Sequence, residues 1–346
     1  MRTRSTAARS SALAPLAALL GVLVAAPVHA EWVSRTVDGI MGTRIFVELW
    51  SDDQPAAQQA IEAVMVEMRH IDETMSTYKP TSEVSKVNDL AAREPVVVSP
   101  ELFQLLQTAL EYSRITHGAF DITYASVGHL YDFHTRSRPT AEQIKAALPA
   151  VGYQHLLLDQ GTHSVRFSMP GVRIDLGGIA KGYSVDRGIE ILQGRGIKNA
   201  LVNAGGDSRV IGDRRGRPWM VGIQNPDRAD EIVTRIPITD EAFSTSGDYE
   251  RYFIDNGVRY HHIIDPRTGD SARKVRSATV IAATATRTDG LSKTAFVLGA
   301  EEALRIYNSL RDVDAVLITP DGHMLYTNGL QPGHLPPTAG APAPAQ

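Results

Sequence analysis

Hydrophobic and polar positions follow two rhythms along the chain. Ile45, Val47 and Leu49 alternate with Phe46, Glu48 and Trp50, which predicts a strand after Met41-Gly42-Thr43. Ile61, Val64, Met65, Met68, Ile71 and Met75 then recur at helical spacing, with the methionines read as core. That helix runs out at Ser76-Thr77-Tyr78-Lys79-Pro80, leaving Tyr78 in an exposed turn. Ser99-Pro100 starts a second helix, with a capping serine and proline at the first helical position. Its stripe is Leu102, Leu105, Leu106, Ala109 and Leu110, and His117-Gly118 ends it. Thr140 and Gln143 form a capping box for a short third helix that stops at Pro149. Tyr131, Phe133 and His134 have no place in this pattern.

From residue 156 the pattern is mostly strand: 156–159 and 165–168 around Gln160-Gly161, then 200–203, 219–223 and 232–238. A hairpin of 250–254 and 258–264 turns at Asp255-Asn256-Gly257. A strand over 278–283 and a hairpin of 313–318 with 324–326 complete the set, with helices over 287–298 and 301–310. Strands and helices do not alternate regularly, so the chain reads as α+β, with antiparallel sheets and packed helices in a single large domain. The central stretch runs from Arg173 to Glu190. There an apolar run ending in Asp175 is read as a strand that passes through Gly177-Gly178 and Lys181 into a helix marked by Val185, Ile189 and Leu192. A strand ending in glycines and opening a helix gathers backbone N–H groups at one point, which suits an anion. A tight turn carrying a surface lysine is the plainer reading of the same residues.

Composition narrows the function classes. The 346 residues are 43% hydrophobic and 21% charged, which is a globular balance and not a disordered one. The formal charge of −4 with no long basic run argues against nucleic acid as the main partner. With no cysteine, disulfides, thiolate metal sites and thiol nucleophiles are excluded. Residues 1–30 combine Arg2, Arg4 and Arg9 with a short apolar run and Val28-His29-Ala30, the pattern of a cleaved secretory signal peptide. The expectation is a periplasmic or otherwise exported protein with no transmembrane anchor after cleavage. The domain then spans 31–330, and residues 331–346, rich in Pro and Ala, form a disordered tail.

Several familiar sites are absent. Gly194-Arg195-Gly196-Ile197-Lys198-Asn199 lacks the third glycine of a dinucleotide fingerprint and ends a helix where the fingerprint would start one. Neither a P-loop nor a G-x-S-x-G elbow is present, and no helix carries a two-histidine metal motif. What remains is a set of polar residues at strand ends and turns: Asp175, Lys181, Asp207, Ser246, His262, Asp265 and Asp289. Each has an ordinary structural reading. Ser244-Thr245-Ser246-Gly247-Asp248 suits a plain loop, Asp265 a turn, and Asp289 the positive start of a helix.

In order along the chain, the motifs are Met41-Gly42-Thr43, Ser76-Thr77-Tyr78, Gly118-Ala119-Phe120-Asp121, residues 174–183 (IDLGGIAKGY) and Val202-Asn203-Ala204-Gly205-Gly206-Asp207. Ser244-Thr245-Ser246-Gly247, residues 262–269 (HIIDPRTG) and Thr288-Asp289-Gly290-Leu291-Ser292 follow. This series resembles the ApbE family, the FAD:protein FMN transferases, over residues 41–330. The resemblance implies an ApbE-like, T-fold-related fold, with FAD as substrate and Mg2+ as cofactor. It implies transfer of FMN to a Thr or Ser hydroxyl of a target protein with release of AMP. Targets by resemblance are flavoprotein subunits of membrane redox complexes. It further implies that Met41, Tyr78, Ala119, Phe120, Asp121, Asp175, Lys181 and Ile264 contact FAD. Metal ligands by the same resemblance are the Gly178 carbonyl, Asp289 and a hydroxyl such as Ser292. His262 is the implied general base or hydroxyl-orienting group, Asp265 its support or a metal aid, and Lys181 a partner for the phosphates. One position departs from the family pattern: Lys293 stands four residues after Asp289, where a threonine is usual. FAD hydrolysis to FMN and AMP, and FAD carriage without chemistry, stay open as alternatives.

Overall fold

The structure, a computed structural model, describes residues 30–331 apart from residue 229. The signal peptide and tail expected from the sequence lie almost wholly outside these residues. Strands β1 (Glu31–Ile40) and β2 (Thr43–Ser51) form an antiparallel hairpin. Helix α1 (Gln54–Met75) follows with Asp53 as its cap, the Asp53 carboxylate accepting from Ala56 N. Next come α2 (Glu83–Leu90), β3 (Val96–Val97) and α3 (Pro100–Ile115), then the short helices α4 (Ala125–Gly128) and α5 (Ala141–Ala147). The hairpin β4 (Leu156–Asp159) and β5 (Ser164–Phe167) precedes α6 (Ala180–Gly194). Strands β6 (Ala200–Ala204), β7 (Asp207–Ile211), β8 (Trp219–Gln224), β9 (Ile232–Ile238), β10 (Ala242–Gly247), β11 (Tyr252–Asp255), β12 (Val258–His261) and β13 (Ser277–Ala282) follow in turn. The chain then runs through α7 (Ala285–Ser292), α8 (Thr294–Leu298), α9 (Ala300–Ser309), β14 (Val313–Ile318) and β15 (Met324–Tyr326).

Eight strands make one sheet in the order β1-β2-β6-β7-β10-β13-β14-β15, with every neighbouring pair antiparallel. Ile45, Val47 and Leu49 of β2 meet Ile61, Val64 and Met65 of α1 and Val185 and Ile189 of α6 in one apolar layer. Val280, Ala315 and Leu317 from the far half of the sheet pack with Leu291, Phe296 and Tyr307 of α7, α8 and α9. The opposite face is covered by the β8–β9 hairpin, whose Val221, Ile223 and Ile236 meet Val210, Ile281 and Val316. This is the α+β, antiparallel, helix-packed domain that the hydrophobic rhythm predicts.

The differences have physical reasons. β1 escapes a reading by alternation because most of its side chains are solvated, as suits an edge strand. The plain-loop reading of residues 244–248 does not hold for residues 244–247, which belong to β10 inside the sheet. Its hydroxyls are matched in pairs, Ser244 with Thr288 at 2.7 Å, Thr245 with Thr279 at 2.9 Å and Ser246 with Ser292 at 2.9 Å, so a polar sequence satisfies a buried strand. The short run over residues 173–175, expected as a strand end, pairs with no strand among the described residues. The Asn88 side chain takes the place of a neighbouring strand, accepting from Ile174 N at 2.7 Å and donating to Ile174 O at 2.9 Å. Asp289 lies inside α7 and serves the start of a different helix, α6.

Candidate active site

The site lies where the tips of two hairpins meet the start of α6. Gly205 between β6 and β7 sits against Thr43, the first residue of β2 after the β1–β2 turn: a Cβ there would come within 2.6 Å of the Thr43 hydroxyl. Arg251 donates to Gly42 O at 3.2 Å and so ties the same turn to the segment that leads to His262. Met41 takes a positive φ of 53° at this tip and packs against both apolar layers that flank α6.

α6 has no side-chain cap of its own from Ile179. Asp289 supplies one from α7, its Oδ2 accepting from Gly182 N at 3.0 Å, and a buried carboxylate so placed answers the helix's unpaired N–H groups and its positive end. The two helices can meet this closely because residue 182 has no side chain: a Cβ would fall 2.1 Å from Ala285 O. Around this contact four charges alternate. Lys181 Nζ lies 2.5 Å from Asp207 Oδ2 and 3.6 Å from Asp289 Oδ2, and Lys293 Nζ closes on Asp289 Oδ1. Burial works against the Lys181 charge, but Asp207 and Asp289 outweigh it and raise its pKa. Burial also opposes ionisation of Asp289, yet Lys181 and Lys293 hold it below the usual carboxylate value. For Asp207, burial and the Asp289 charge prevail and push it up.

The residues implied to contact FAD divide by what their side chains already do. Tyr78 is 87% exposed, an aromatic face with no packing role. Phe120 lies over Gly178, where a Cβ would meet its ring at 3.3 Å. Asp175 accepts from Thr77 Oγ1 at 2.8 Å, Tyr124 OH at 3.2 Å and Gly177 N at 2.7 Å, which fixes the glycine turn before α6. Asp121 is buried, accepting from Thr123 N and Oγ1 and from Tyr153 N, so its carboxylate shapes the loop itself. Ala119 and Ile264 are buried side chains, Ala119 among Ile263 and Phe296 and Ile264 among Val127 and Tyr131.

His262 keeps its ring Nδ1 buried with no hydrogen-bond partner among the described residues. Burial, and then His261 and the cations Lys293, Arg251 and Lys181, push its pKa down to about 3, so the ring is neutral at pH 7. Asp265 is engaged by Arg267 instead of by this ring. Its carboxylate accepts from Arg267 N at 2.9 Å, Nε at 3.0 Å and Nη2 at 2.8 Å, a paired arrangement that closes the 265–269 turn. A hollow of about 290 Å³ is lined by Asp248, Arg259, His261, Arg273, Arg276 and Pro320, and none of the four clustered charges borders it.

The oxygens implied for magnesium do converge, but on nitrogen. Lys293 Nζ donates to Asp289 Oδ1, to Asp289 O at 2.9 Å and to Gly178 O at 3.5 Å. Ser292 directs its hydroxyl to Asp289 O at 3.0 Å and pairs with Ser246. Magnesium requires about six oxygens at close to 2.1 Å in octahedral array, and an ammonium among them offers no lone pair and repels the ion. The residues present therefore do not fit a divalent metal beside Lys293. Among the described residues, no group of three or more His, Asp or Glu side chains is placed to hold a metal ion either.

Thr77, Tyr124, Asn88 and Arg251, which hold Asp175, Ile174 and the Gly42 turn in place, had no role in the sequence pattern. Thr77 lay inside a quoted motif, so adjacency was its signal; the other three carry none. Asp207 and Lys181 both stood among the candidate polar residues, but not as a pair.

An exposed aromatic ring, an ammonium group at the start of α6, a second at the end of α7 and a buried imidazole, set on an antiparallel α+β frame, form the candidate site, with side chains suited to an anionic ligand that carries a ring system. The chain belongs to the ApbE family, whose model matches residues 41–317. A protein of Klebsiella pneumoniae named FAD:protein FMN transferase is 32% identical over 293 residues, covering 84% of this chain and 90% of that one. The solved ApbE protein of Thermotoga maritima superposes with a TM-score of 0.80 at 35% identity, over 86% of this chain and 97% of its own. Flavin transferase ApbE from Vibrio cholerae gives a TM-score of 0.78 at 30% identity, over 88% and 99%.

Proposed function

We propose that this chain transfers the FMN half of FAD to a threonine or serine hydroxyl of a target protein, releasing AMP. The observation that carries the reading is the Lys181–Asp207–Asp289 cluster at the start of α6, close enough that Lys181 and Lys293 help to depress the pKa of the buried His262. Tyr78 offers its exposed face to a ring system of FAD, and the Gly177-Gly178 turn lets the pyrophosphate approach backbone. The target hydroxyl oxygen attacks the FMN-side phosphorus. A new P–O bond forms, the bond from that phosphorus to the bridging oxygen breaks, and AMP leaves with the bridging oxygen. The hydroxyl proton passes to an imidazole nitrogen of His262. Lys181 offsets charge that builds on the phosphate oxygens in the transition state. No step is assigned to magnesium, because its expected oxygens hold the Lys293 ammonium.

An arriving pyrophosphate also brings negative charge beside His262. It counters the cations that depress the ring and raises its basicity towards the range useful for proton transfer. The partner of this reading is a flavoprotein subunit with an acceptor Thr or Ser, of the kind found in membrane redox complexes. The N-terminal segment supports export to the periplasm, which N-terminal sequencing of the secreted protein checks by a start at Glu31.

The test is the mass of a threonine-bearing acceptor domain after incubation with the protein and FAD. The expected result is a gain of one FMN group, lost in His262→Ala by about a hundredfold to ten-thousandfold in rate while FAD still binds. AMP and free FMN with no mass gain would assign hydrolysis instead. Intact bound FAD with no AMP would assign a carrier.

A further inference from the structure

We infer that the Lys293 ammonium is a built-in cation of the phosphate site, holding the position a divalent ion would otherwise take, so that FAD binding needs no metal. The ligand in this inference rests on the flavin-transfer reading; the cation itself rests on geometry alone.

The Nζ of Lys293 lies among three oxygens: Asp289 Oδ1, Asp289 O at 2.9 Å and Gly178 O at 3.5 Å. An ammonium has three donors and no acceptor, so every one of these contacts uses it as a small cation. The Gly178 contact is long for a hydrogen bond, which leaves that donor free to turn to a phosphate oxygen. The side chain is 18% exposed while Asp289 is fully buried, so the ammonium is the solvent-facing lid of the carboxylate.

The backbone favours this placement. Asp289 and Lys293 stand four residues apart with the acid first, the better order for a helical pair. Lys293 also ends α7, where the last carbonyls favour a positive charge. Its stem passes Gly178, with Cε 3.8 Å from where a Cβ would stand, so the chain reaches the cage beside the glycine turn.

Charge balance gives the arrangement its meaning. Lys181 and Lys293 match Asp207 and Asp289, and removing Lys293 leaves the cluster one negative charge in excess, facing an anionic substrate. A threonine at this position would restore the need for an external cation.

The experiment uses the mature protein and two variants, Lys293→Thr and Lys293→Met, each first shown to keep the wild-type melting temperature within a few degrees. Mn2+ alone is titrated and followed by EPR, and FAD binding is followed by flavin fluorescence in excess EDTA and in excess magnesium. The wild type is expected to leave Mn2+ free and to bind FAD equally in both conditions. Lys293→Thr should bind Mn2+ and make FAD affinity depend on magnesium by about tenfold or more. Lys293→Met removes the charge without supplying a ligand, so FAD should weaken about tenfold in EDTA. One Mn2+ bound per wild-type chain, or wild-type FAD affinity that falls tenfold in EDTA, overturns the cation assignment. Failure of the wild type to bind FAD under either condition sinks the flavin reading, and the free Mn2+ signal still distinguishes that failure from a wrong cation.

Discussion

Gly182 and Gly194 lie in the same helix and should respond to alanine with opposite signs. A Cβ on Gly182 would stand 2.1 Å from Ala285 O, 2.6 Å from Ala285 C and 2.7 Å from Asp289 Cβ. The first two are backbone atoms of α7, which cannot swing aside as a side-chain tip does. To move the 2.1 Å approach to an ordinary contact of 3.4 Å or more, the α6–α7 gap must open by more than about 1 Å, in an interior packed like a crystal. Overpacking of this kind costs about 1–3 kcal/mol, against roughly 1 kcal/mol regained from helix propensity. The same opening stretches the 3.0 Å bond from Gly182 N to Asp289 and draws the carboxylate away from Lys181. Gly194 has no heavy atom within 4 Å of its would-be Cβ, so Gly194→Ala should stabilise by about 0.5–1 kcal/mol. Urea melts of the two variants with the wild type, joined to FAD titration, measure both effects. Gly182→Ala should lower the midpoint and weaken FAD binding; Gly194→Ala should raise the midpoint and leave FAD affinity alone. If Gly182→Ala matches the wild type in midpoint and FAD affinity, the argument that a missing side chain builds this site is wrong.

Three more outcomes follow from single contacts. Burial lowers His261 to about 4, and burial followed by neighbouring cationic groups lowers His262 to about 3, whereas both return to near 6.5 on unfolding. Between those values the unfolded chain binds more protons, so the stabilisation is complete above pH 6.5 and is lost as pH falls towards 4 and then 3, at no more than about 1.4 kcal/mol per pH unit for each histidine. Urea midpoints across that range check it, and His262→Asn should flatten the slope. Tyr78→Ala should leave the melting temperature unchanged, since the ring is 87% exposed, and weaken FAD by about threefold to tenfold; unchanged affinity would remove Tyr78 from the site. Asn88→Ala strips both backbone partners from Ile174 and should cost about 2–5 kcal/mol, read as a urea midpoint shift, and Asn88→Asp should restore only the bond from Ile174 N, since a carboxylate has no donor for Ile174 O.

What could be read from sequence was what repeats locally. The α1 stripe, the Ser99 and Thr140 caps and the Asp255-Asn256-Gly257 turn all follow from neighbours within a few positions, and each appears in the structure. β10 could not be read so, because its burial depends on hydroxyls supplied by Thr279, Thr288 and Ser292 from later in the chain. The Asn88 ladder spans 86 positions and leaves no periodic trace. The site was legible through ordered motifs, which named Lys181, Asp289 and His262. That Asp207 pairs with Lys181 became visible only in three dimensions.

The hydroxyl pairs explain how one side chain can decide the character of the site. Ser244–Thr288 and Ser246–Ser292 fasten α7 to β10, and Gly182 lets α6 settle against the other side of α7. Held on both sides, α7 cannot turn about its axis without breaking buried hydrogen bonds, each of which leaves an unpaired polar group. Asp289 is thereby fixed towards α6. The next turn places residue 293 beside it over Gly178, whichever side chain that residue carries. A lysine there delivers a single charge on a tethered stem, present at every metal concentration. A hydroxyl there would leave an open oxygen cage that fills only when a divalent ion is supplied. The choice between the two belongs to one position on a clamped helix, so it can be exchanged while Lys181, Asp207 and His262 stay where the frame holds them.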